Sequence, residues 1–524
     1  MKVDKKQITA YKFRTYLILL AMSLSILVIA YNTTALINAL PVLQHDFHIA
    51  PANLQWLLNT YILASVTFML VAGKLYDTFD KRTIFLIALV EYLIASLIII
   101  YAPNSKFLYV GRVLQGIGAA LIASGSLTII KKTFLEFRLQ KAISIWSTIA
   151  GFGFCAGPFL GGYLTSHFSW AYIFWVAILL VIISIVLVLL FLPKEKKQLE
   201  ICIDDHKHGN LDIAGIISLG AGLFCVVYGF VKINDRGWNS PIILISIIIG
   251  SVLLIIFYFI EKQTSSPILD FTVFRNKEFS LALIGTLALF SIILMEIPYL
   301  FNIYAQNRTL LNYSAYNAGC ALLPLNICYL VGSFTSTKIS KFLGYYYTLI
   351  FALALQATGL FMLSYLVYYV SYSYMIIPFI VIGFGAGITF PCYSLLAINN
   401  IPKDKTGQAA GLLNLTSYFG DLTGTVIWSI IFFYTGSDYL IKKLPHLELL
   451  SNNNKSILNN LVMGNRPTIE KILHSDIENK NLIIDQIQKS GITAFSNAML
   501  YSAVIILIIT FLFAFYLRKS KEVN

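Results

Sequence analysis

The sequence predicts an all-α polytopic membrane protein, and three observations support that prediction. Of the 524 residues, 58% are hydrophobic and only 12% are charged, whereas about 25% are charged in an ordinary soluble domain. Apolar runs of about 20 residues, each long enough to cross a bilayer as a helix, recur along almost the whole chain. Most Lys and Arg residues lie in alternate connecting segments, the distribution that orients membrane helices. These observations argue against a soluble globular fold.

Hydropathy and turn residues together divide the chain into fourteen predicted transmembrane helices. An even number places both termini on one side of the membrane. The short loops of the opposite side carry only Lys106, Lys232, Arg236 and Arg308, so we predict cytoplasmic termini and a multi-pass protein of the cytoplasmic (inner) membrane. The predicted spans are 15-41, 53-75, 83-101, 107-130, 141-163, 171-192, 212-232, 242-260, 279-305, 315-336, 344-368, 374-398, 408-433 and 495-517.

The first span is predicted to be retained, because its apolar run is much longer than the core of a cleavable signal peptide. The net charge of +13 has its source mainly in the cytoplasmic loops, and we therefore predict no nucleic-acid partner. Five of the six cysteines fall in apolar spans and none forms a CxxC pair, so no disulfide framework is expected. No GxxxxGK[ST] sequence occurs, which argues against direct use of ATP.

Two polar segments interrupt the helices. The long loop 434-494 is Asn-rich with weak helical periodicity, and it is either a solvated spacer or, less favoured, a docking surface for an external partner. A second segment, between the sixth and seventh helices, contains residues of metal-ligating types, which we interpret as a solvated linker, so no metal site is predicted. These residues are Cys202, Asp204, Asp205, His206 and His208.

The two parts of the chain resemble each other at a constant offset. The sequence Gly116-Ile-Gly118-Ala119 matches Gly383-Phe-Gly385-Ala386, and the same offset aligns Ala142 with Ala409 and Gly157 with Gly424. A helix, its basic loop and the next helix are therefore repeated. This repetition predicts two six-helix halves with an extra helix pair between them, the arrangement of transporters that alternate around a central site.

The loop after the second helix contains a charged motif, Gly73-Lys-Leu-Tyr-Asp77-Thr-Phe-Asp80-Lys81-Arg82. A glycine there permits close helix contact, an acid at a helix end pairs with a cation or a helix N-terminus, and the basic pair anchors the cytoplasmic face. We assign Gly73, Asp77, Lys81 and Arg82 to conformational gating. The alternative is an ordinary charged turn.

Further motifs follow this loop in order. The fourth helix contains Arg112-Val-Leu-Gln115-Gly116-Ile-Gly118-Ala119, and the fifth contains Gly153 and then Gly157-Pro158-Phe-Leu-Gly161-Gly162. Together with Leu211-Asp212 and Pro267-Ile-Leu269-Asp270, they make the chain similar to the major facilitator superfamily, and specifically to its fourteen-helix drug:proton antiporter family. The resemblance covers residues 15 to 517 and implies the major facilitator fold.

The resemblance and the repeat together imply three parts. Residues 1-192 form an N-terminal six-helix bundle, 193-275 a linker with two additional transmembrane helices, and 276-524 a C-terminal six-helix bundle that includes the extracytoplasmic loop. In the charged loop, Asp80 replaces the family's usual second glycine and Thr78 an expected basic residue. Two further departures limit what the resemblance implies: Asn32 stands where an aspartate is common, and Lys341 stands where the second half would carry the loop's acid.

Glycines of the fifth helix recur at a spacing of about four, which creates a face of small residues. Pro158 removes one backbone hydrogen bond and permits a bend. Such a face either hinges or seals a cavity, or simply packs closely against a neighbouring helix. We assign Gly153, Gly157, Pro158, Gly161 and Gly162 to gating.

Ionisable residues inside apolar spans are costly and therefore informative, at about 2.5 to 3.5 kcal/mol each when charged near the membrane centre. Asp421 lies near the middle of the thirteenth helix, where Asn414, Ser417 and Thr425 share its face. We predict that this polar stripe lines a substrate cavity, together with Asn32, Thr34 and Asn38 of the first helix.

Three other ionisable residues lie in spans. Glu296, beside Pro298, is either a gate or cation site or a snorkelling or hydrogen-bonded acid. Arg112 lies near the outer end of its helix, where snorkelling is an alternative to a coupling role. Glu91 has no flanking polar residues in sequence, so we interpret it as structural or as lying at the lipid edge. We assign Asp421, Glu296 and Arg112 to proton coupling.

The expected function is proton-coupled export of hydrophobic or cationic small molecules by alternating access. The nearest alternative is export of one endogenous metabolite such as a siderophore, and a non-transporting receptor is less favoured. We predict no enzyme activity and no cofactor beyond the proton gradient. The expected partners are a small-molecule substrate and membrane lipid, with a periplasmic adaptor protein if the host has an outer membrane.

Overall fold

The chain folds into α-helices, as its composition predicts. The structure is a computed structural model, and it describes residues 5–47, 49, 56–194, 212–236, 240–264, 267, 269–313, 315–399, 401–402, 405–444, 455–464, 469–470 and 480–523. No strand occurs within these ranges. Helices are expected because a backbone that crosses hydrocarbon must satisfy its own N–H and C=O groups.

The helices of the first part of the chain are α1 (Lys5–Ala35), α2 (Leu40–Asp46), α3 (Trp56–Thr78), α4 (Lys81–Ile100), α5 (Ser105–Thr133), α6 (Glu136–His167), α7 (Ala171–Phe191), α8 (Ile213–Arg236) and α9 (Pro241–Gln263). The remaining helices are α10 (Lys277–Ala288), α11 (Ile297–Gln306), α12 (Ala315–Ala321), α13 (Leu323–Leu343), α14 (Tyr345–Leu366), α15 (Tyr372–Asn399), α16 (Thr406–Lys443), α17 (Lys455–Val462) and α18 (Lys480–Val523).

Side chains of turn residues start several of these helices. The Asp80 carboxylate accepts a hydrogen bond from the Thr83 backbone N–H at 2.9 Å, which caps α4. The Asn104 side chain does the same for the first turn of α5. A glycine at φ 82°, Gly344, separates α13 from α14.

Three predicted spans contain breaks that the hydropathy pattern does not reveal. The first continues from α1 through a 3₁₀ turn into α2, which has Pro41 near its start. The ninth is interrupted by a π-helical segment, Leu289–Glu296, just before Pro298. The tenth is divided into α12 and α13, with Pro324 in the first turn of α13. Proline lacks a backbone N–H and clashes with the preceding turn, which explains these interruptions.

The segment 434-494 is more helical than a loop prediction allows. Helix α16 continues to Lys443, α17 lies within the segment, and α18 begins at Lys480. Some of its apolar residues, including Leu440, Leu461 and Ile487, are buried, whereas Leu482 and Ile484 are exposed. The weak periodicity in the sequence therefore marked helices with a buried face.

Eleven helical stretches among the described residues are long and apolar enough to cross a membrane, and α8 contains a shorter one, Ala214–Phe230. The chain is therefore a multi-pass membrane protein. The count of fourteen stays a prediction, because α8, the α12–α13 pair and α16 fall outside the eleven. Polar residues such as Lys338, Lys341 and Asp421 lower the hydropathy of the latter two.

The chain divides into two compact units. Unit 1 contains Met1–Leu287 and Pro391–Phe419, and unit 2 contains Ala288–Phe390 and Gly420–Asn524. In unit 1, α1 packs on α6, α3 on α5, and α8 on α9; in unit 2, α14 packs on α18. The sequence analysis divided the chain by counting helices, into 1-192, 193-275 and 276-524, whereas these two units are defined by contacts. The three-part division therefore remains a prediction.

Candidate functional site

The polar stripe of α16 is buried. Asp421 is 8% exposed, and Asn414 and Ser417 are also buried. The Asn414 amide donates to Ala410 O and the Ser417 hydroxyl to Leu413 O, each at 2.9 Å, so both donors are satisfied by their own helix. A carboxyl group in this position is removed from lipid, as the sequence pattern requires.

Glu296 is fully buried in unit 2, at the end of the π-helical segment. Its Oε2 accepts a hydrogen bond from the Ser502 hydroxyl of α18 at 2.5 Å, and its Oε1 has no hydrogen-bond partner. The side chain is therefore a hydrogen-bonded acid and does not snorkel, because it reaches a neighbouring helix. Its role as a gate or cation site stays a prediction. Ser502 has no distinguishing sequence signal within its apolar run.

Arg112 is also buried, at 1% exposure, and does not snorkel. Its Nε donates to Leu57 O at 2.9 Å, and one terminal nitrogen donates to Asn32 Oδ1 at 3.0 Å and to Gln115 Oε1 at 2.9 Å. The guanidinium lies 4.3 Å from the ring centroid of Tyr61. No carboxylate among the described residues forms an ion pair with it.

This geometry gives the Asn32 departure a physical meaning. An aspartate at this position would offer a charged carboxylate to Arg112. Asn32 instead offers a neutral amide oxygen as the hydrogen-bond acceptor. The Asn32 Nδ2 and the second terminal nitrogen of Arg112 are both buried without hydrogen-bond partners. The cluster therefore retains an incompletely satisfied buried cation, which is costly in a low dielectric.

The small-residue face of α6 contacts α1. A Cβ added at Gly153 would lie 2.8 Å from Leu27 O, and one at Gly161 would overlap Ala35 O. Between them, the Thr34 hydroxyl donates to Phe154 O at 3.3 Å. Close packing is thus observed, and Thr34 takes part in it. Gly162 is half-buried, while the side chains of Asn38, Pro158 and Thr425 lie outside the described residues.

The gating motif contacts the start of α16. The two Asp77 carboxylate oxygens accept hydrogen bonds from the backbone N–H groups of Gly407, at 2.7 Å, and Gln408, at 2.9 Å. A carboxylate at the first turn satisfies free N–H groups and complements the helix dipole. Gly73 lies directly against Gly407, with no room for a Cβ on either residue.

A second pair of contacts joins the segment before α10 to the same place. The Lys74 Nζ donates to Pro267 O at 2.7 Å, and Lys405 Nζ lies 2.5 Å from Asp270 Oδ2. Burial raises the pKa of Asp270, but hydrogen bonds from Lys405 and Thr272 lower it more, to about 2. The pair therefore stays ionised above about pH 2 and would be lost only in strong acid.

We call this set of contacts the α3–α16 latch. It consists of the Gly73–Gly407 approach, the hydrogen bonds of Asp77 with Gly407 and Gln408, the Lys74–Pro267 hydrogen bond and the Lys405–Asp270 ion pair. Sequence reasoning identified only its α3 side as gating residues. Gly407 and Gly411 are four residues apart at the start of α16, and this small-residue spacing was a usable signal that the motif has a partner helix. Lys81 interacts electrostatically with Asp77, and both Lys81 and Arg82 line a cationic cavity described below.

Glycine-to-alanine substitutions can show whether the close helix contact at Gly73, and not only the backbone flexibility of glycine, determines the change in stability. We expect Gly73→Ala to destabilise the protein by about 1–3 kcal/mol, the cost of forcing extra atoms into a packed contact. Gly319 of α12 is the matched control, because nothing lies within 4 Å of the Cβ it would gain. Gly319→Ala should be neutral or stabilising by about 0.5–1 kcal/mol. Thermal unfolding in detergent measures both, and equal shifts would contradict the packing explanation.

The sequence also singled out Glu91 and the polar segment between the sixth and seventh predicted helices. Glu91 is half-buried, both carboxylate oxygens have no hydrogen-bond partner, and it packs against Gly118. The segment with Cys202, Asp204, Asp205, His206 and His208 lies outside the described residues. Within the described ranges, no group of three or more His, Cys, Asp or Glu residues could hold a metal ion.

The helical membrane fold, buried acids and helix-end latch together define the class of polytopic transport proteins. The family model described as Major Facilitator Superfamily matches residues 22–425, and the chain belongs to that superfamily.

Two curated relatives are named as export or efflux proteins. The chain is 26% identical over 413 residues to the tetracenomycin C resistance and export protein of Streptomyces glaucescens. The matched region covers 79% of this chain and 75% of that protein. It is 24% identical over 420 residues to the multidrug efflux pump LfrA of Mycolicibacterium smegmatis, with 80% and 81% covered.

Solved structures share the fold. The human organic anion transporter MFSD10 (TETRAN) superposes with a TM-score of 0.59 at 13% identity, over 95% of this chain and 99% of that one. The proton:xylose symporter XylE superposes with a TM-score of 0.55 at 14% identity, over 82% and 90%. At these identities the likeness concerns the fold alone.

Proposed function

We propose that this protein is a proton-coupled antiporter that exports hydrophobic or cationic small molecules, drugs among them, across the cytoplasmic membrane by alternating access. The observation that carries the proposal is the buried carboxyl group of Asp421 in the polar stripe of α16. The named relatives, which export or confer resistance to antibiotics and drugs, support the substrate class. We place both termini in the cytoplasm, because the basic loops lie on their side.

Asp421 would bind a proton and a substrate in alternation. A carboxylate near the membrane centre costs about 2.5 to 3.5 kcal/mol on insertion scales, and either a proton or a cationic substrate removes much of that cost. The two ligands therefore compete for one group, which is the simplest basis of antiport. A proton that moves down 100 mV contributes about 2.3 kcal/mol to drive the exchange.

Glu296 and Arg112 would have supporting roles. The Ser502 hydroxyl bonds to one oxygen of Glu296 and leaves the other without a partner, so this acid has capacity to hold a proton. Arg112 places a fixed positive charge among neutral groups, and a fixed charge changes the cost of ionising acids that approach it during the cycle.

The α3–α16 latch would gate the cytoplasmic side. Its elements are two backbone hydrogen bonds to Asp77, the Lys405–Asp270 ion pair and the Gly73–Gly407 contact. A capping carboxylate contributes about 1 kcal/mol, and a partly exposed ion pair contributes about 1 kcal/mol or less. A latch of this size can close and open reversibly, as an alternating-access equilibrium requires.

Reconstituted vesicles test the proposal directly. With the protein in liposomes and an imposed pH gradient, a cationic dye such as ethidium should move against its own gradient. Protons should move in the opposite direction at the same time. Dye movement that ignores the pH gradient, or no movement across a panel of dyes and secreted metabolites, would contradict the proposal.

The Glu296–Ser502 contact makes a separate prediction. Glu296→Gln should reduce gradient-driven export by about fivefold or more, the lower end of usual coupling energies. Ser502→Ala should have a smaller effect, and the double variant should be no worse than Glu296→Gln, because the two residues act through one hydrogen bond. The control is Ser490→Ala, since Ser490 is also buried in α18 but donates to Ile487 O of its own helix. Additive losses would count against the contact.

A further inference from the structure

A cationic cavity lies at one end of unit 1. Its volume is about 450 Å³, and it is formed by α1 near Arg14, by the start of α4 and by the ends of α5 and α7. Consecutive helices of the bundle run in opposite directions, so the start of α4 lies at the same side of the unit as the ends of α5 and α7. Five basic side chains line the cavity: Arg14, Lys81, Arg82, Lys132 and Lys194.

No carboxylate among the described residues lines this cavity. Two of its cations are fixed by the last turn of α7: Arg14 Nε donates to Phe191 O and Arg82 donates through a terminal nitrogen to Leu189 O, both at 2.8 Å. A guanidinium has five N–H donors, so each retains donors for a ligand. The Lys81 charge also interacts with the Asp77 carboxylate, which does not line the cavity. Like charges around one cavity repel each other, and an anion bound among them relieves that repulsion. Arginine is suited to phosphate because its donors match two oxygens at once.

The surroundings of the cavity point to a lipid as the source of the phosphate. Arg14 lies at the start of one apolar span, Phe13–Ala35, and Lys194 follows the end of another, Ala171–Phe191. The cavity is therefore at the level where headgroups meet hydrocarbon. Beside it, large apolar side chains are exposed on the same two helices: Phe13 at 64%, Tyr16 at 45%, Leu189 at 48% and Leu190 at 67%.

We propose that this cavity binds the phosphate-bearing headgroup of an anionic phospholipid, with the acyl chains along the exposed apolar residues of α1 and α7. A soluble phosphate would use the cations but not this apolar surface. The volume suits a small headgroup, since ligand cavities commonly measure about 300–1,000 Å³. The bound lipid would join four helices of unit 1 at their charged ends. The argument for lipid binding uses neither Asp421 nor the α3–α16 latch, and the variants that test it leave Lys81 and Arg82 unchanged, so it stands independently of the proposed function.

Lipid binding by the purified full-length protein tests the proposal. The probe is phosphatidylglycerol added in detergent and measured by native mass spectrometry, with phosphatidylcholine as the zwitterionic comparison. The wild type should hold phosphatidylglycerol at least about tenfold more tightly than phosphatidylcholine. The triple variant Arg14→Gln/Lys132→Gln/Lys194→Gln should lose that preference by about tenfold or more.

A matched triple variant, Arg275→Gln/Lys277→Gln/Lys341→Gln, removes the same charge from exposed residues that do not line the cavity. It should keep the wild-type preference. Equal losses in the two triple variants would overturn the proposal, because the effect would then follow net charge alone.

The charge-retaining variant Arg14→Lys/Lys132→Arg/Lys194→Arg separates binding from misfolding. It should bind phosphatidylglycerol within about threefold of the wild type, because its cavity keeps every positive charge. Inorganic phosphate and glycerol phosphate are then added as competitors. Failure of both to displace the lipid at millimolar concentration supports a lipid site. Displacement by inorganic phosphate as effectively as by unlabelled phosphatidylglycerol would overturn the lipid assignment.

Discussion

Asp421→Asn is expected to abolish dye export that is driven by a pH gradient, with a loss of about tenfold or more, within the usual range for an energetic coupling between two ligands. The amide keeps the size of the side chain but cannot gain or lose a proton. Asp421 is buried, so the carboxyl group interacts with protein and not with lipid. Exchange of dye at equal pH on both sides should persist, because that exchange requires no proton.

Glu91→Gln is the control for this prediction. It also neutralises an acid within a membrane span, but Glu91 is half-buried against Gly118 and lies in α4. Export by this variant should stay within about twofold of the wild type, as expected for a change at a site without a coupling role. If Asp421→Asn retained full gradient-driven export, the coupling assignment of Asp421 would be wrong.

Arg112→Lys is expected to lower both stability and transport, although it conserves the positive charge. The guanidinium satisfies three acceptors on different elements: Leu57 O, Asn32 Oδ1 and Gln115 Oε1. An ammonium group is a compact point charge and cannot reproduce this geometry. Each buried acceptor left without a donor costs about 1–3 kcal/mol, so a loss of about 2–4 kcal/mol in stability is expected.

Thermal unfolding in detergent, measured beside transport in vesicles, checks this result. Arg308→Lys is the control, because Arg308 is half exposed and lies 3.7 Å from Glu470. Its stability should change by less than about 0.5 kcal/mol. An Arg112→Lys protein as stable and active as the wild type would show that the charge alone matters at this position, and that the three hydrogen bonds do not.

The sequence located the buried ionisable groups because the membrane penalises them. Asp421, Glu296 and Arg112 were identified by their presence in apolar spans, and the structure buries all three. Their partners could not be identified in the same way. Ser502 and the carbonyl of Leu57 are ordinary features of apolar helices, and they bind these groups only because a neighbouring helix passes at the right distance.

Breaks within helices were also difficult to predict. The π-helical segment before Pro298 and the division between α12 and α13 lie inside continuous apolar runs. Hydropathy averages over a window and records only the environment of a segment, while a helix break depends on single residues. The proline in each run was the local signal that could have marked the break.

The sequence by itself determined that this protein is an all-helical, multi-pass membrane protein with charge in its spans, and its motifs placed it in the Major Facilitator Superfamily. Composition is sufficient for the first conclusion, because hydrocarbon admits few backbone conformations and makes each charge within it costly. Only the tertiary structure decided that Asp77 caps α16, that Glu296 meets Ser502, and that five cations surround one cavity. Those facts depend on which helices become neighbours, and packing between distant parts of the chain sets that.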